Sequence, residues 1–314
     1  IEKLRDCDLV IEAVTEDLSV KAELFKEIEL LVKPGTILAS NTSSLSITSL
    51  GGVCKNPARV LGLHFFNPAP LMALVEVVHA VQSSEESLKK AEDLMRAWGK
   101  TPIRVKDTPG FVVNRVARPF YGEALRILDE QIADPATIDW AMQHFGKFRM
   151  GPFELMDFIG IDVNYAVTES IFEALYFDPR YRPSISQRRL VEARMLGRKS
   201  GQGFYRYTEG AEKPAARENA ELGKRIFERI LVLLINEAFE AVFWGIATPD
   251  AIEKAMVAGV NYPKGLLAWG DELGLDKVLQ KLETLHLEYQ EERYRPSVLL
   301  KRMVGEGKSF FRKA

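Results

Sequence analysis

The sequence predicts an α/β sheet domain followed by two all-α helical repeats. Short apolar segments alternate with helical patterns in the first third of the chain, as in α/β domains. Beyond that part nearly every segment has the spacing of an amphipathic helix. The helical part also resembles itself at a fixed offset, and this similarity indicates a duplication.

The first part contains five predicted strands and two predicted helices. Residues 8–14 form a mostly apolar segment typical of a buried strand, and Thr15-Glu16-Asp17 supplies cap-type residues for a helix that Pro34-Gly35 ends. The other strands are expected at 36–40, 59–66, 73–80 and 101–105, and the second helix at 85–99. Only a short connection joins the third strand to the fourth, which predicts an antiparallel far side of the sheet.

The helical part begins at Asp107-Thr108-Pro109-Gly110. Glu123-Ala124 recurs as Glu237-Ala238 and Ala141-Met142 as Ala255-Met256, each 114 residues later. Because duplicated helical units pack through equivalent faces, the second copy is expected to imitate a partner subunit, in either a homodimer or a monomer with an internal pseudo-dimer. The predicted division is a sheet domain 1–107, a first helical domain 108–207, a linker 208–220 and a second repeat 221–314.

Composition excludes several classes of protein. Lys plus Arg total 42 and Asp plus Glu 44, a net charge of −2, so no broad basic face is expected for nucleic acid or a membrane. No apolar run approaches the roughly 20 residues that span a bilayer. The four histidines lack zinc or haem spacing, so no metal is expected. Two cysteines, Cys7 and Cys54, are typical of the reducing cytoplasm.

A histidine and a carboxylate fall on the two strands that are predicted to be antiparallel. If these strands pair about Pro70, His64 faces Glu76. A carboxylate bonded to one ring nitrogen fixes the tautomer and raises the basicity of the other nitrogen, as a general base requires. Buried His–Glu pairs also serve purely structural roles, so these residues alone leave both interpretations open.

Several motifs occur in an order and spacing that resemble the L-3-hydroxyacyl-CoA dehydrogenases. They are Ser40-Asn41-Thr42-Ser43-Ser44-Leu45, His64-Phe65-Phe66-Asn67-Pro68, Leu74-Val75-Glu76-Val77, Asp107 to Arg115, Gly151 to Leu155 and Gly197 to Tyr205. The second helical copy is similar to the tandem-repeat members of the 3-hydroxybutyryl-CoA or phenylacetate-degradation type. The resemblance implies a Rossmann domain followed by two repeats like the C-terminal domain of 6-phosphogluconate dehydrogenase.

The same resemblance implies an activity and its residues. The activity is NAD-dependent oxidation of L-3-hydroxyacyl-CoA to 3-oxoacyl-CoA, in β-oxidation or in butyrate or phenylacetate catabolism. His64 is implied as the general base and Glu76 as the carboxylate that orients and polarises its ring. Ser43 and Asn114 are implied to hydrogen-bond the reacting oxygen or to fix His64. Contacts with NAD are implied for Glu16, Lys21, Asn41, Ser43, Asn67 and Lys199. Taken singly, these are ordinary turn, helix-start or surface residues.

The sequence departs from the family pattern in two places. The GxGxxG turn and the acidic residue that follows it have no counterpart here, so we expect an N-terminally truncated, partial Rossmann sheet with feeble or absent catalysis. In the second copy Glu228 stands where Asn114 stands in the first, so that copy is expected to be scaffold. The alternatives are a dehydrogenase of a free hydroxy acid or sugar acid, and a non-catalytic helical assembly module.

Overall fold

The computed structural model describes residues 1–311, which form two compact units. The first unit comprises Ile1–Val113 and Trp244–Val260. The second comprises Asn114–Phe243 and the described residues from Asn261 onward. The chain therefore leaves the first unit, re-enters it for one segment and returns to the second.

The first unit is built on a five-stranded sheet in the order β1-β2-β3-β4-β5. β1, β2 and β3 are parallel, β4 is antiparallel to β3, and β5 is parallel to β4, which confirms the expected antiparallel far side. The apolar residues of β3 and β4 other than Phe65 are fully buried in this sheet. The strands are β1 (Leu9–Glu12), β2 (Ile37–Ser40), β3 (Val60–Phe65), β4 (Leu74–His79) and β5 (Thr101–Lys106).

Four α-helices belong to the first unit. The predicted cap Asp17 accepts hydrogen bonds from the backbone N–H groups of Ser19 and Val20, and it begins the first helix. The short second helix was not predicted, although Ser46 caps it. The helices are α1 (Leu18–Leu31), α2 (Ile47–Gly52), α3 (Glu85–Ala97) and, in chain order, α11 (Pro249–Val260).

The position of α11 differs from the predicted division, which assigned all of 221–314 to a second helical repeat. Segment 244–260 belongs to the first unit because it attaches to the far side of the sheet. The carbonyl oxygen of Ile246 accepts a hydrogen bond of 2.8 Å from the backbone N–H of Lys106. Gly259 lies so close to β4 that a Cβ there would stand 2.6 Å from the Leu74 side chain. The boundary between the units also falls after Val113 rather than after residue 107.

Among its described residues the second unit contains helices and no β-strand, apart from isolated bridges at Gly197, Gln202 and Arg206. Residues 208–219 form neither helix nor strand. Four helices after residue 134 have counterparts 113 or 114 residues later, so α6 corresponds to α11, α7 to α12, α8 to α13 and α9 to α14. The helices are α4 (Val113–Val116), α5 (Arg118–Asp129), α6 (Pro135–Gly146), α7 (Pro152–Ile159), α8 (Ile161–Ala174), α9 (Ile185–Glu192), α10 (Ala220–Phe243), α12 (Leu266–Leu273), α13 (Leu275–Tyr289) and α14 (Val298–Gly305).

The long helix α10 supplies the core of this unit. Leu231, Leu234, Ile235 and Phe239 are at most 1% exposed and line the buried face of this helix, whereas Phe243 at its end is only half-buried. None of the helices described within residues 1–311 is long and apolar enough to cross a membrane.

The second unit contains two buried clusters, each made of one glutamate, one arginine and one tyrosine. The Glu237 carboxylate accepts hydrogen bonds from Arg115 Nε, at 2.8 Å, and from the Tyr181 hydroxyl. The Glu123 carboxylate accepts hydrogen bonds from Arg229 Nε and, at 2.6 Å, from the Tyr294 hydroxyl. All six side chains are buried, and each glutamate of one half is therefore bound by an arginine and a tyrosine of the other.

Candidate active site

The structure brings His64 and Glu76 together as the strand pattern predicts. In the antiparallel pair of β3 and β4, His64 is directly opposite Glu76. The ring nitrogen Nδ1 lies 2.7 Å from Glu76 Oε2. Both side chains are buried, and the Glu76 carboxylate has no exposed surface. The predicted pairing is confirmed.

Further hydrogen bonds determine which way the pair is protonated. Glu76 Oε1 accepts hydrogen bonds of 3.0 Å from the backbone N–H groups of Val112 and Val113. Glu76 Oε1 is thus already occupied as an acceptor, which leaves Oε2 to accept a hydrogen bond from the His64 ring. Nδ1 of His64 therefore carries the ring proton and donates a hydrogen bond to Glu76 Oε2. This leaves the lone pair on Nε2, the arrangement of a general base.

A strained turn aims these N–H groups at Glu76. Gly110 has a φ of 76° and the next residue, Phe111, has a φ of 47°. The left-handed region suits glycine, but for a bulky residue such as Phe111 it costs of the order of 1–3 kcal/mol. The turn is closed by a 2.9 Å hydrogen bond from the Phe111 N–H to the carbonyl of Thr108. Strain of this kind is typical of sites that must hold a fixed geometry.

Two aromatic rings that the sequence analysis missed flank the histidine. The centroid of the Phe66 ring lies 4.6 Å from that of His64, and the Phe111 centroid lies 5.7 Å away. Both residues lie within the quoted motifs, but apolar residues beside a histidine carry no separate signal in the sequence. Such rings limit the rotation of the imidazole and exclude water from one side of it.

Ser43 lies in the turn after β2, and hydrogen bonds to Glu16 hold this turn in place. Glu16 Oε1 accepts hydrogen bonds from the Thr42 hydroxyl at 2.5 Å, the Ser43 N–H at 3.1 Å and the Ser44 hydroxyl at 3.1 Å. Burial raises the pKa of the Glu16 carboxyl, but these donors and the Lys21 ammonium outweigh it and hold the pKa below its ordinary value. The Glu16 carboxylate therefore holds in place the backbone that carries Ser43.

Lys21 is not a surface lysine. Its side chain is 1% exposed, and its ammonium lies 2.9 Å from Glu12 Oε2 and 3.5 Å from Glu16 Oε2. A buried ammonium requires such partners because its desolvation costs several kcal/mol. Lys21 therefore links the end of β1 to the carboxylate that holds the Ser43 turn. The acidic partner Glu12 was not singled out from the sequence, although it stands in an otherwise apolar strand.

Two asparagines complete this edge of the first unit. Asn41 Oδ1 accepts a 3.0 Å hydrogen bond from the backbone N–H of Phe65 and so ties the end of β2 to the end of β3. Asn67 follows β3 and is exposed. Glu16, Ser43 and Asn67 thus follow the carboxyl ends of three adjacent parallel strands, where open α/β sheets bind nucleotides.

Two predicted site residues lie in the second unit. Asn114 follows Val113 directly in the chain, and its carbonyl oxygen accepts a 2.8 Å hydrogen bond from Arg118 Nε. Lys199 is 46% exposed, and its ammonium lies 2.7 Å from Asp162 Oδ2. The carboxylate Asp162 was not singled out from the sequence.

Comparison with known families gives matches across both units. The sequence model of the 3-hydroxyacyl-CoA dehydrogenase NAD-binding domain matches residues 1–108. The model of the C-terminal domain of the same enzyme matches residues 110–207 and 226–311. The first of these matches gives no support to the expected N-terminal truncation.

Individual relatives and solved structures match most of the chain. A 3-hydroxyadipyl-CoA dehydrogenase of Escherichia coli is 38% identical over 96% of this chain and 81% of that protein. A probable 3-hydroxybutyryl-CoA dehydrogenase of Deinococcus radiodurans is 45% identical over 66% of this chain and 74% of that protein. The crystal structure of a 3-hydroxybutyryl-CoA dehydrogenase from Escherichia coli superposes with a TM-score of 0.91, at 38% identity, over 98% of this chain and 84% of that one.

Proposed function

Because the chain belongs to the NAD-dependent 3-hydroxyacyl-CoA dehydrogenase family, we propose that it oxidises L-3-hydroxyacyl-CoA thioesters to 3-oxoacyl-CoA. NAD, when bound, supplies the acceptor for the hydride that leaves C3. The observation that carries the proposal is the buried contact of 2.7 Å between His64 Nδ1 and Glu76 Oε2. It leaves His64 Nε2 free as the base.

In the proposed reaction His64 moves one proton. Nε2 accepts the proton of the 3-hydroxyl group as the C3–H bond breaks, and the imidazolium so formed is stabilised by the Glu76 carboxylate. Glu76 Oε2 accepts from Nδ1 throughout, while the N–H groups of Val112 and Val113 continue to donate to Oε1. In the reverse direction the imidazolium returns the proton to the oxygen of the 3-oxo group.

We assign supporting roles to the other residues. Ser43 and Asn114 donate hydrogen bonds to the reacting oxygen or fix the His64 ring. Asn41, Asn67 and Lys199 are assigned to the cofactor, as the family resemblance implies. The observed contacts give Glu16 and Lys21 an additional role, because both hold the turn that carries Ser43.

We also propose that the helical part of the chain consists of two tandem repeats, the second of which contributes α11 to the first unit, and that the second copy acts as a built-in partner subunit. The reciprocal clusters support this, since Arg115 and Tyr181 bind Glu237 while Arg229 and Tyr294 bind Glu123. Such an exchange is typical of an interface between two equivalent surfaces. The protein is then expected to run in solution at the mass of one chain, and a stable dimer measured by light scattering would contradict this proposal.

The cellular location is proposed on the state of the cysteines. Cys7 and Cys54 are both unpaired. Free thiols of this kind are typical of a reducing compartment and support a cytoplasmic enzyme of acyl-CoA catabolism.

The proposed function is tested by replacing the base. His64→Gln is expected to lower the rate of acetoacetyl-CoA reduction by NADH at least about 10²-fold, because it removes general acid–base catalysis. His144→Gln, which changes an exposed histidine of α6, serves as the matched control. An unaltered rate in His64→Gln would remove the assigned base.

Two further measurements address the alternatives. Turnover of free 3-hydroxy acids at the rate of the thioesters would favour a dehydrogenase of free acids. Failure of the protein to bind NAD in a titration would favour a non-catalytic assembly module.

A further inference from the structure

Asp107 connects two segments of the first unit that the proposed reaction uses. It follows β5 directly and begins the segment 107–113, whose last two N–H groups hold Glu76. Its own backbone N–H donates a 3.1 Å hydrogen bond to the His79 carbonyl at the end of β4. The backbone at Asp107 is therefore fixed to the strand that carries Glu76.

The Asp107 side chain binds the other segment, residues 42–48, which follows β2. Asp107 Oδ2 accepts a 3.0 Å hydrogen bond from the Ser46 hydroxyl and a 2.7 Å hydrogen bond from the Thr48 N–H. Hydrogen bonds to a carboxylate are stronger than those between neutral groups. These donors lie 61 and 59 residues away from Asp107 in the chain, so the contact is a long-range link rather than part of a local turn.

Ser43 lies on the segment 42–48 between two carboxylates. Glu16 accepts hydrogen bonds from the Thr42 hydroxyl and from the Ser43 N–H. Asp107 binds the same segment from three residues beyond Ser43 onward. Removal of the Asp107 carboxylate would therefore leave Ser43 anchored by a carboxylate on one side only.

No other side-chain hydrogen bond joins the segments 42–48 and 107–113 among residues 1–311. Thr48 also binds the residues after β4, since its hydroxyl accepts the Val81 N–H and its carbonyl accepts the Gln82 amide, both at 3.3 Å. Those contacts do not reach the segment 107–113. Asp107 is thus the link between the segment that carries Ser43 and the segment that holds Glu76.

We propose that Asp107 is a positioning residue that holds Ser43 at a fixed distance from the pair of His64 and Glu76. This inference rests on the proposed function and adds a residue to it. Asp107 acts through Ser43, so that the Ser43 hydroxyl and the His64 base meet the same substrate oxygen. Such placement matters because a displacement of about 1 Å in an active site can cost about 10²-fold in rate.

The test is a double-mutant cycle, measured as kcat for the reduction of acetoacetyl-CoA by NADH. Asp107→Ala is expected to lower kcat about 10- to 100-fold, because Ser43 loses its fixed position. In a protein that already carries Ser43→Ala, the same change is expected to cost less than about 3-fold, since the positioned hydroxyl is gone. Asp107→Asn keeps an oxygen that can accept both hydrogen bonds, and it is expected to stay within about 5-fold of the unaltered protein.

Controls separate positioning from a general loss of stability. Ser84→Ala removes the residue that caps α3 in the same unit, and it is expected to retain the full rate. Equal losses from Asp107→Ala with and without Ser43→Ala would overturn the inference, because a general weakening of the fold lowers both rates alike. A loss in Asp107→Asn as large as that in Asp107→Ala would also overturn it, because both hydrogen bonds remain possible in the asparagine variant.

A further measurement distinguishes failure of this inference from failure of the proposed function. If the unaltered protein does not reduce acetoacetyl-CoA, the proposed function is refuted, and amide hydrogen exchange still tests the link. Asp107→Ala is expected to speed exchange at Thr48 and also at Val112 and Val113, whereas Ser84→Ala is expected to leave all three unaltered. Unaltered exchange at Val112 and Val113 in Asp107→Ala would show that Asp107 does not join the two segments.

Discussion

Glu76→Gln changes one atom of the candidate site, and the structure predicts how the change acts on His64. The glutamine oxygen can continue to accept the N–H groups of Val112 and Val113, which lie 3.0 Å from Glu76 Oε1. Its NH₂ group then faces His64 Nδ1, 2.7 Å from the replaced oxygen. Nδ1 must therefore accept a hydrogen bond. The ring proton moves to Nε2, and the base is lost.

The size of the effect follows from the alternative arrangement. If the glutamine amide flips, its oxygen again accepts from Nδ1, but its NH₂ group then opposes two backbone N–H groups. Each buried N–H left without an acceptor costs about 1–3 kcal/mol, so the productive arrangement lies about 2–6 kcal/mol higher. That corresponds to a decrease of about 30-fold to about 10⁴-fold in rate. Amide replacement of the carboxylate in serine-protease triads costs about 10⁴-fold.

The assay is the initial rate of acetoacetyl-CoA reduction by NADH, with thermal unfolding followed on the same samples. Glu86→Gln, at an exposed position in the first turn of α3, is the matched control and is expected to retain the full rate. A folded Glu76→Gln protein with a rate within a factor of three of the unaltered protein would refute this account of the tautomer.

Two further predictions concern stability. Burial raises the pKa of Asp139 to about 7, against hydrogen bonds from Tyr205 and from the backbone N–H groups of Phe153 and Glu154. The folded state therefore keeps a proton that the unfolded state loses near pH 4, so stability decreases as the pH rises from about 4 to about 7, by of the order of 4 kcal/mol. Urea unfolding across this range should show a shallower dependence in Asp139→Asn, and an identical profile would contradict the assignment. Glu237→Gln should destabilise the protein by about 3–5 kcal/mol because Arg115 is left as a buried charge without its partner, and Glu123→Gln should do the same through Arg229. The exposed Glu221→Gln in α10 is the control for both glutamates, and a cost below about 1 kcal/mol at either one would show that the clusters do not hold this unit together.

The central pair of the site could be predicted from the sequence because antiparallel register is a local property. Two apolar strands joined by a short connection fix which residues face each other, and His64 and Glu76 followed from that alone. The positions of the five strands followed from the alternation of apolar strand segments with helical patterns. Cap residues such as Asp17 marked where helices begin.

The support around the pair could not be predicted because it depends on distant or unusual backbone geometry. No residue pattern signals a positive φ at a phenylalanine, so the turn at Phe111 that directs two N–H groups to Glu76 left no trace in the sequence. The burial of Lys21 depends on Glu12 and on the chain that covers both. The attachment of segment 244–260 to the sheet joins residues far apart in sequence. The repeat pattern instead predicted that this segment belongs to the second helical repeat.

The exchanged contacts of Glu123 and Glu237 constrain how this chain can change. Neither half of the helical unit contains the cation that neutralises its own buried glutamate, since Arg115 serves Glu237 and Arg229 serves Glu123. A shortened chain that stopped at the linker would leave Glu123 without Arg229 and Arg115 without Glu237, and association with a second molecule that supplies these partners would restore both ion pairs. A substitution at one of these positions is therefore tolerated only if the matching residue in the other half is compatible with it. The two halves must evolve as a coupled pair.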